Sequence, residues 1–271
     1  MTPTIILTGA SDGIGAEMAR QLAQRHGSAV RLVLAARNAP ALEKVSQQCK
    51  ALGTITLVVP TDVSVQSQCR HLIAATIAEF GRIDGLINNA GISAQALISE
   101  KQAQDLGWYE DLMRIKLWGS EWCTHAAMPY LTASKGRIVA VSSLAGLVGV
   151  PGRTAYSASK FAMTGFFEAL RAELKTTGVR VTTAFPGVVS TDIRSRGLNA
   201  AGKVAGFSGL KEDAAMSVEE CARLILDGME SGQREVVMTA QGKLGRFLKL
   251  VWPSLVERLA LAALKDEVKP P

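Results

Sequence analysis

Residues 4–15 read TIILTGASDGIG, an apolar run that ends in a turn with glycines at positions 9, 13 and 15. Such a turn needs backbone positions without a Cβ atom, and a pyrophosphate needs close approach to the main chain. The N-terminus of a following helix offers free N–H groups and a positive dipole to that anion. The stretch therefore predicts a βα unit with a dinucleotide site, with a glycine-rich turn that holds no ligand as the alternative. The residues expected to line the site are Gly9, Ser11, Asp12, Gly13, Ile14 and Gly15.

Strand and helix patterns alternate along the rest of the chain. The apolar runs mostly lack period-two alternation, as expected when helices cover both faces of a parallel sheet. Strands are predicted at Thr4–Thr8, Arg31–Ala35, Thr54–Val59, Asp84–Asn88, Gly136–Ser142, Val179–Ala184 and Glu235–Thr239. Helices are predicted at Ile14–His26, Ala41–Leu52, Val65–Phe80, Trp108–Leu131, Ala155–Thr176 and Ser217–Glu230. This order is typical of an α/β fold with a Rossmann-type, doubly wound parallel sheet of about seven strands.

The composition favours one large catalytic domain, predicted at residues 1–241. Hydrophobic residues make up 48% of the 271 and charged residues 20%, which supports a sizeable core and opposes disorder. The net charge is +6, but the last thirty residues hold six basic and three acidic side chains, so about half of the excess lies there. A nucleic-acid partner is therefore not expected.

The cysteines and the N-terminus indicate a cytoplasmic protein. The four cysteines (Cys49, Cys69, Cys123 and Cys221) lack metal-ligand spacing, which favours buried reduced thiols. The three histidines are scattered over helical segments, and no metal site is expected from them. The first apolar run is too short for a signal-peptide core, and no run has the length of a membrane span.

The end of the second predicted strand bears on the choice of nicotinamide nucleotide. A carboxylate there would accept a hydrogen bond from the adenosine 2′-hydroxyl and repel a 2′-phosphate. The sequence has Ala35 and Ala36 followed by Arg37, whose guanidinium suits a phosphate. NADP(H) is therefore favoured over NAD(H), with a solvated loop cation as the alternative reading of Arg37. Asp62, after the third strand, is positioned to accept from the adenine amino group.

Tyr156 and Lys160 stand four residues apart at the start of a predicted helix, which places both on one face. A tyrosine phenol is a poor acid–base group at neutral pH because its reference pKa is about 10. A nearby ammonium stabilises the phenolate and lowers that pKa. A phenol tuned in this way exchanges a proton with a carbonyl or alcohol oxygen during hydride transfer. Ser143, which closes the fifth strand, is positioned to hold that oxygen.

Five motifs follow one another in an order that resembles the short-chain dehydrogenase/reductase family in its single-domain form. They are Thr8–Gly15, Asn88-Asn89-Ala90-Gly91, Ser142-Ser143, Tyr156–Lys160, and Pro186-Gly187 followed by Thr191. The resemblance implies an NAD(P)-dependent enzyme acting on a small carbonyl or alcohol substrate. It implies that Tyr156 is the general acid/base, that Lys160 binds the nicotinamide ribose and lowers the phenol's pKa, and that Ser143 orients the carbonyl.

The same resemblance assigns further residues to the cofactor and to assembly. It implies that Asn89, Ala90 and Gly91 steady the central strand and contact the adenosine ribose. Asp62 and Val63 match the adenine-contacting pair. The residues implied for the nicotinamide end are Pro186, Gly187, Val189 and Thr191. Members often pair through their two long helices, here Trp108–Leu131 and Ala155–Thr176, which implies a homodimer or homotetramer.

Lys116 departs from the family pattern. Many members carry an asparagine at this place, three residues before a glycine, and it is thought to hold a water that relays protons to the active lysine. A charged lysine donates hydrogen bonds but does not accept them, and a second ammonium near Lys160 would lower both pKa values. Two readings stay open: Lys116 joins the catalytic group, or it turns away and a water fills the gap.

Two segments outside the regular alternation bear on substrate and partners. Residues 190–213, rich in glycine and basic residues, follow a strand end and are either a mobile lid or a solvated loop; with residues 92–103 they are expected to shape the substrate pocket. Residues 242–271 are predicted to form a basic amphipathic helical tail, with Leu244, Phe247, Leu248 and Val251 on one face. Packing on the domain or on a partner subunit is favoured over peripheral contact with an anionic membrane.

Three functions are compatible with these observations. The favoured one is a cytoplasmic NADP(H)-dependent reductase or dehydrogenase. Lys116 and the tail leave two alternatives: a nucleotide-binding sensor or scaffold with weakened catalysis, and a membrane-surface reductase of a lipid-like substrate.

Overall fold

The computed structural model describes residues 2–100, 107–210 and 215–264. Within them, one parallel sheet has the strand order β3-β2-β1-β4-β5-β6-β7. The strands are β1 (Thr4–Thr8), β2 (Arg31–Ala36), β3 (Ile55–Pro60), β4 (Gly85–Asn88), β5 (Arg137–Val141), β6 (Arg180–Phe185) and β7 (Glu235–Val237). The predicted Rossmann-type sheet is confirmed, and the strand ends differ from the predicted ones by about one or two residues.

Helices cover both faces of the sheet, which explains the continuously apolar strands. They are α1 (Gly13–His26), α2 (Ala39–Ala51), α3 (Gln66–Phe80), α4 (Gly107–Met113), α5 (Gly119–Ser134), α6 (Thr154–Glu173), α7 (Val218–Ser231), α8 (Ala240–Val251) and α9 (Pro253–Ala262). Buried residues of α1, α2 and α7 form a core on one face, and those of α3, α5 and α6 form a core on the other. Within β1, Ile5 and Leu7 point to the first core and Ile6 to the second.

The strand order places the predicted motifs at one edge of the sheet. The order reverses between β1 and β4, and ligands bind at such a switch point beyond the carboxyl ends of the strands. The glycine turn follows β1, Asn89 follows β4, Ser143 lies just beyond β5, and Pro186 follows β6. Residues separated by almost the whole domain therefore meet at this edge.

The prediction of one continuous helix at Trp108–Leu131 is wrong in its middle. A π-helical turn at Arg114–Trp118 separates α4 from α5. Such turns add a residue to the helical repeat and occur often at functional sites. Here the turn contains Lys116, which is 2% exposed. The π-helical turn therefore contains Lys116, whose side-chain orientation the sequence did not predict.

The tail forms α8 and α9, and it lies partly on the domain. Val256 and Leu264 are buried, and the Lys249 ammonium donates to the Leu147 carbonyl at 3.0 Å. The larger apolar side chains of α8 stay exposed, with Phe247 at 61% and Leu250 at 80%. Residues 265–271 of the predicted tail lie outside the described residues, and the division at residue 241 stays a prediction. No helix in the described ranges is long and apolar enough to cross a membrane.

The four cysteines are buried, as the sequence predicts.

Candidate active site

The glycine turn after β1 accepts no larger residue at two positions. A Cβ atom on Gly15 would lie 2.1 Å from the Gly9 carbonyl oxygen, and one on Gly9 would lie 2.8 Å from Ala90 Cα. Gly9 also has a φ of +67° and Gly13 one of +53°, which L-residues with side chains rarely adopt. The turn therefore carries no side chain at these positions, and its backbone is accessible for close approach by a ligand.

A cleft of about 770 Å³ opens beside this turn, within the ~300–1,000 Å³ typical of ligand pockets. An adjoining cavity of about 310 Å³ shares Gly9, Asp12 and Arg37 with it. Predicted cofactor residues that line the two cavities are Gly9, Ser11, Asp12, Gly13, Ile14, Arg37, Asp62, Val63, Asn89, Ala90, Gly91 and Thr191. The cleft thus gathers residues from four strand ends, and its backbone and charges fit a dinucleotide.

Other predicted residues lie outside these two cavities. Gly15 is buried in the first turn of α1, where it allows close packing. Pro186, Gly187 and Val189 follow β6, and the Pro186 carbonyl accepts from the Leu144 N–H at 2.9 Å.

Asn89 joins the two central strands at the switch point. Its Nδ2 donates to the Thr8 carbonyl at 3.1 Å and to the Gly9 carbonyl at 3.3 Å. The Thr8 hydroxyl accepts from the N–H groups of Asn89 at 3.0 Å and Ala90 at 3.1 Å. These bonds hold the end of β4 against the glycine turn.

The part of the cleft beside α2 is basic. It is lined by Arg37 and Lys44, and neither makes an ion pair within the described ranges. Arg20 also lines the cleft, but its guanidinium is paired with Glu17 at 2.8 Å. Asp62 uses one carboxylate oxygen to accept from the N–H (2.9 Å) and hydroxyl (2.7 Å) of Ser64.

Arg196 was not predicted as a site residue, yet it lies on the cleft and forms an ion pair with Asp12. A hydrogen bond from Arg196 lowers the pKa of the Asp12 carboxyl, which also accepts from the Gly13 N–H at 2.7 Å. Arg196 lies in the loop after β6. The pair therefore connects that loop to the glycine turn, a contact between residues 184 positions apart.

The loop after β6 folds over the site in its described part, residues 190–210. Leu198 donates from its N–H to the Ser93 carbonyl at 2.9 Å and accepts from the Gln95 N–H at 2.8 Å. A Cβ atom on Gly197 would lie 3.0 Å from Ser93 Cβ, so the two segments touch. Residues 92–100 and 190–210 thus build one wall, while residues 101–103 and 211–213 of the expected pocket lie outside the described ranges.

Tyr156 is half-buried near the start of α6. Burial raises the pKa of its hydroxyl, but the charges of Lys160 and Arg153 and a hydrogen bond with Ser143 together outweigh burial, so the pKa lies below its ordinary value. The Lys160 ammonium lies 6.0 Å from the ring centroid and donates to the Val141 carbonyl at 2.6 Å. The arrangement makes the phenol a better proton donor than a free tyrosine.

Lys116 points into the site rather than away from it. Its Nζ lies 4.6 Å from the Tyr156 ring centroid. Burial, followed by the charges of Lys160 and Arg153, holds the pKa of Lys116 well below its ordinary value. Burial also lowers the pKa of Lys160, while Tyr156 and Lys116 oppose that shift.

Arg153 is a second residue that sequence reasoning missed. It is 7% exposed, and its guanidinium lies 4.4 Å from the Tyr156 ring centroid. A basic residue almost one turn before the tyrosine is the signal that would have found it. Arg194, 6% exposed, adds a further positive charge that lowers the pKa of Tyr156.

The sheet, the glycine turn and the Ser143–Tyr156–Lys160 group together define a dinucleotide-dependent oxidoreductase. Comparison with known proteins agrees, because the profile of the short chain dehydrogenase family matches residues 3–200. The chain belongs to this family of NAD(P)-dependent dehydrogenases and reductases.

Curated relatives match over most of their length. An 11-beta-hydroxysteroid dehydrogenase-like protein of Arabidopsis thaliana is 34% identical over 268 residues, 98% of this chain and 83% of that protein. An 11-beta-hydroxysteroid dehydrogenase of Sesamum indicum is 34% identical over 259 residues, 93% of this chain and 73% of that protein.

Solved structures of the family share the fold. A short chain dehydrogenase/reductase from Burkholderia phymatum in complex with NAD superposes with a TM-score of 0.79 at 22% identity, covering 93% of this chain and 94% of that one. A metagenomic short-chain oxidoreductase in complex with NADP gives a TM-score of 0.70 at 27% identity, covering 88% and 96%. Proteins with either nucleotide therefore resemble this chain, and the fold does not choose between them.

Proposed function

We propose that this chain transfers a hydride between NADP(H) and a carbonyl or secondary alcohol, with Tyr156 as the general acid/base. The observation that carries the proposal is the surroundings of the phenol. Tyr156 lies with the Ser143 hydroxyl and the cationic Lys160 and Arg153, and all of these lower its pKa. Packing alone does not require cations around a half-buried tyrosine, so this arrangement favours a chemical role for Tyr156.

The nicotinamide nucleotide, when bound, supplies or accepts the hydride. Gly9, Gly13 and the N-terminus of α1 would bind the pyrophosphate, because their backbone faces the cleft and the helix dipole favours an anion there. Ala90 and Gly91 would contact the adenosine ribose, and Asp62 and Val63 the adenine. Lys160 would bind the nicotinamide ribose. The residues proposed for the nicotinamide end are Pro186, Gly187, Val189 and Thr191.

The protein's own groups handle the proton. In the reductive direction Ser143 holds the substrate oxygen, and Tyr156 donates its proton to that oxygen. The phenolate left behind is stabilised by the charges of Lys160 and Arg153. In the oxidative direction the same phenolate accepts the proton of the alcohol, as microscopic reversibility requires.

Lys116 takes the acceptor role that the family asparagine has in other members. A neutral amine accepts one hydrogen bond, so Lys116 receives the bond from Lys160 and holds that ammonium in place. The low pKa of Lys116 is a condition of this role, because a protonated Lys116 would repel Lys160.

Selectivity for NADP(H) is proposed from the basic adenosine end of the cleft. A 2′-phosphate would meet two cations, Arg37 and Lys44, whereas a 2′-hydroxyl would leave both without an anion. The carboxylate typical of NAD-selective proteins is replaced by Ala36.

Tyr156→Phe tests the mechanism. We expect kcat to fall by roughly 10²–10⁴-fold in a screen of ketones, aldehydes and alcohols, since acid–base catalysis contributes about that factor. NADPH binding, followed by nucleotide fluorescence, is the control for folding. Unchanged turnover by the variant would refute Tyr156 as the acid/base. A wild-type protein that binds NADPH but turns over no substrate would favour the sensor or scaffold alternative.

A second candidate, action at a membrane surface on a lipid-like substrate, is favoured by one observation. Phe247 and Leu250 are exposed on α8, and Trp252 is exposed just after it. The helix also carries the basic Lys243 and Arg246, of which Arg246 pairs with Glu235, and this combination resembles a helix that binds an anionic interface. Relatives named for a hydroxysteroid support a bulky apolar substrate. Full-length protein that stays in the supernatant with anionic liposomes would exclude this candidate and leave the cytoplasmic location as proposed.

Assembly is proposed to follow the family, through the faces of α5 and α6. Trp118, at the end of the π-helical turn just before α5, is 48% exposed, and Phe161, on α6, is 37% exposed. Large exposed apolar side chains are typical of a subunit interface. Light scattering would distinguish a homodimer or homotetramer from a monomer.

A further inference from the structure

Three basic side chains surround the Tyr156 ring. The nitrogen atoms of Lys116 and Lys160 lie 4.6 and 6.0 Å from the ring centroid, and the guanidinium carbon of Arg153 lies 4.4 Å from it. In the described ranges no carboxylate forms an ion pair with any of the three. The Lys160 ammonium donates to the Val141 carbonyl, and the Tyr156 phenolate is an anion for part of the cycle. Arg153 is therefore the cation of the three that lacks an anionic partner in the described ranges.

Arg153 is buried with part of its hydrogen-bonding capacity unused. One Nη atom donates to the Ser93 hydroxyl, but its buried Nε–H has no hydrogen-bond partner in the described part of the chain. A buried charged donor without a partner is costly, so an acceptor is expected to meet it. Arg153 also stands at the N-cap of α6 without making a capping hydrogen bond, where the helix dipole opposes a cation and favours an anion.

Arg153 also lines a cavity of about 350 Å³ that is separate from the nucleotide cleft. Leu97, Phe207 and Leu264 give this cavity an apolar wall. Glu100 also borders it, but Glu100 is exposed and its carboxylate accepts from the Leu97 N–H at 2.8 Å. The cavity thus combines an apolar lining with one buried cation next to the proposed acid/base.

We propose that the substrate is an oxo acid or hydroxy acid with an apolar body, and that Arg153 binds its carboxylate beside the reacting carbon. This inference rests on the proposed function and adds the substrate class to it. A carboxylate supplies the anion that the cation cluster lacks and an acceptor for the unpaired Nε–H. A neutral ketone supplies neither.

The test compares each acid with its own ester on the same enzyme. Benzoylformate and 3-benzoylpropanoate are each paired with their methyl ester, and kcat/KM is measured with NADPH. We expect at least one acid to exceed its ester by roughly tenfold to a hundredfold, the range of a charge-assisted hydrogen bond. Arg153→Gln should bring that ratio close to one, and Arg153→Lys should restore part of it. The ratio cancels any general loss of activity in the variants.

Arg70→Gln is the matched control, because it makes the same chemical change at an exposed position on α3. Equal rates for acids and esters in the wild type, or a ratio that Arg153→Gln leaves unchanged, would overturn the inference while the proposed function stands. If Arg153→Gln does not fold, Arg153→Lys and inhibition of the wild type by benzoate against benzamide decide instead. If neither acid nor ester turns over, the screen of ketones, aldehydes and alcohols still decides the proposed function, and calorimetry with benzoate decides the anion site: binding that Arg153→Gln abolishes supports it, and no binding refutes it.

Discussion

Replacing Lys116 with methionine should make the protein more stable at neutral pH, although it removes a residue from the active site. Methionine has a similar length and carries no charge. Lys116 is 2% exposed, and burial with two neighbouring cations depresses its pKa. In the unfolded chain the same amine is protonated up to its ordinary value of 10.5. Folding therefore disfavours the protonated amine that the unfolded chain carries, which destabilises the wild type.

The sign and size follow from proton linkage. The free-energy cost that the lowered pKa of Lys116 adds to folding has its full value below the folded pKa. This cost declines as the pH rises from there and vanishes near pH 10.5. Within that window the unfolded chain binds up to one more proton, so wild-type stability gains up to about 1.4 kcal/mol per pH unit relative to Lys116→Met. Across two units, from about pH 7.5 to about pH 9.5, the advantage of the variant should shrink by up to about 2.7 kcal/mol.

Urea unfolding of the full chain, followed by circular dichroism at several pH values, measures this difference. Lys175→Met serves as the control, because it makes the same chemical change at an exposed position on the turn after α6. A stability difference that stays constant with pH would refute the reasoning, since it would mean that Lys116 keeps its proton in the folded state. A variant less stable than the wild type at about pH 7.5 would refute it as well.

Three further predictions concern the nucleotide site and the tail. Gly15→Ala should destabilise the protein by about 1–3 kcal/mol and weaken NADPH binding, because its Cβ would lie 2.1 Å from a carbonyl oxygen of the turn; wild-type-like melting and binding would contradict this packing. Arg37→Ala and Lys44→Ala should each raise the KM for NADPH by roughly tenfold and leave that for NADH nearly unchanged, one charge-assisted contact being lost; an equal effect on both nucleotides would argue against a 2′-phosphate contact. The double variant Phe247→Ser, Leu250→Ser should reduce cosedimentation with anionic liposomes, given their 61% and 80% exposure, and undiminished binding would show that another surface makes the contact.

Local spacing did not predict how two helical segments begin or continue. The π-helical turn around Lys116 was predicted as regular helix, because an inserted residue leaves the apolar spacing nearly intact. In the tail, α9 begins at Pro253 without a side-chain cap. Proline fits the first helical position because its missing N–H would be unpaired there anyway.

The sequence by itself determined the alternating strands and helices, the glycine turn, and the positions of Ser143, Tyr156 and Lys160 along the chain. These features follow from local spacing: apolar periodicity selects strand or helix, glycine permits the turn, and a four-residue interval places two side chains on one helix face.

Only the tertiary structure decided how the charges meet. In the folded chain Lys116 points toward Tyr156, and the Arg153 guanidinium lies 4.4 Å from the ring centroid. Arg196 pairs with Asp12, which is 184 positions away in the sequence. The tertiary structure also left the apolar face of α8 exposed. The physical reason is that burial and electrostatic interaction depend on distances in space, and the sheet brings together side chains whose separation along the chain carries no information about those distances.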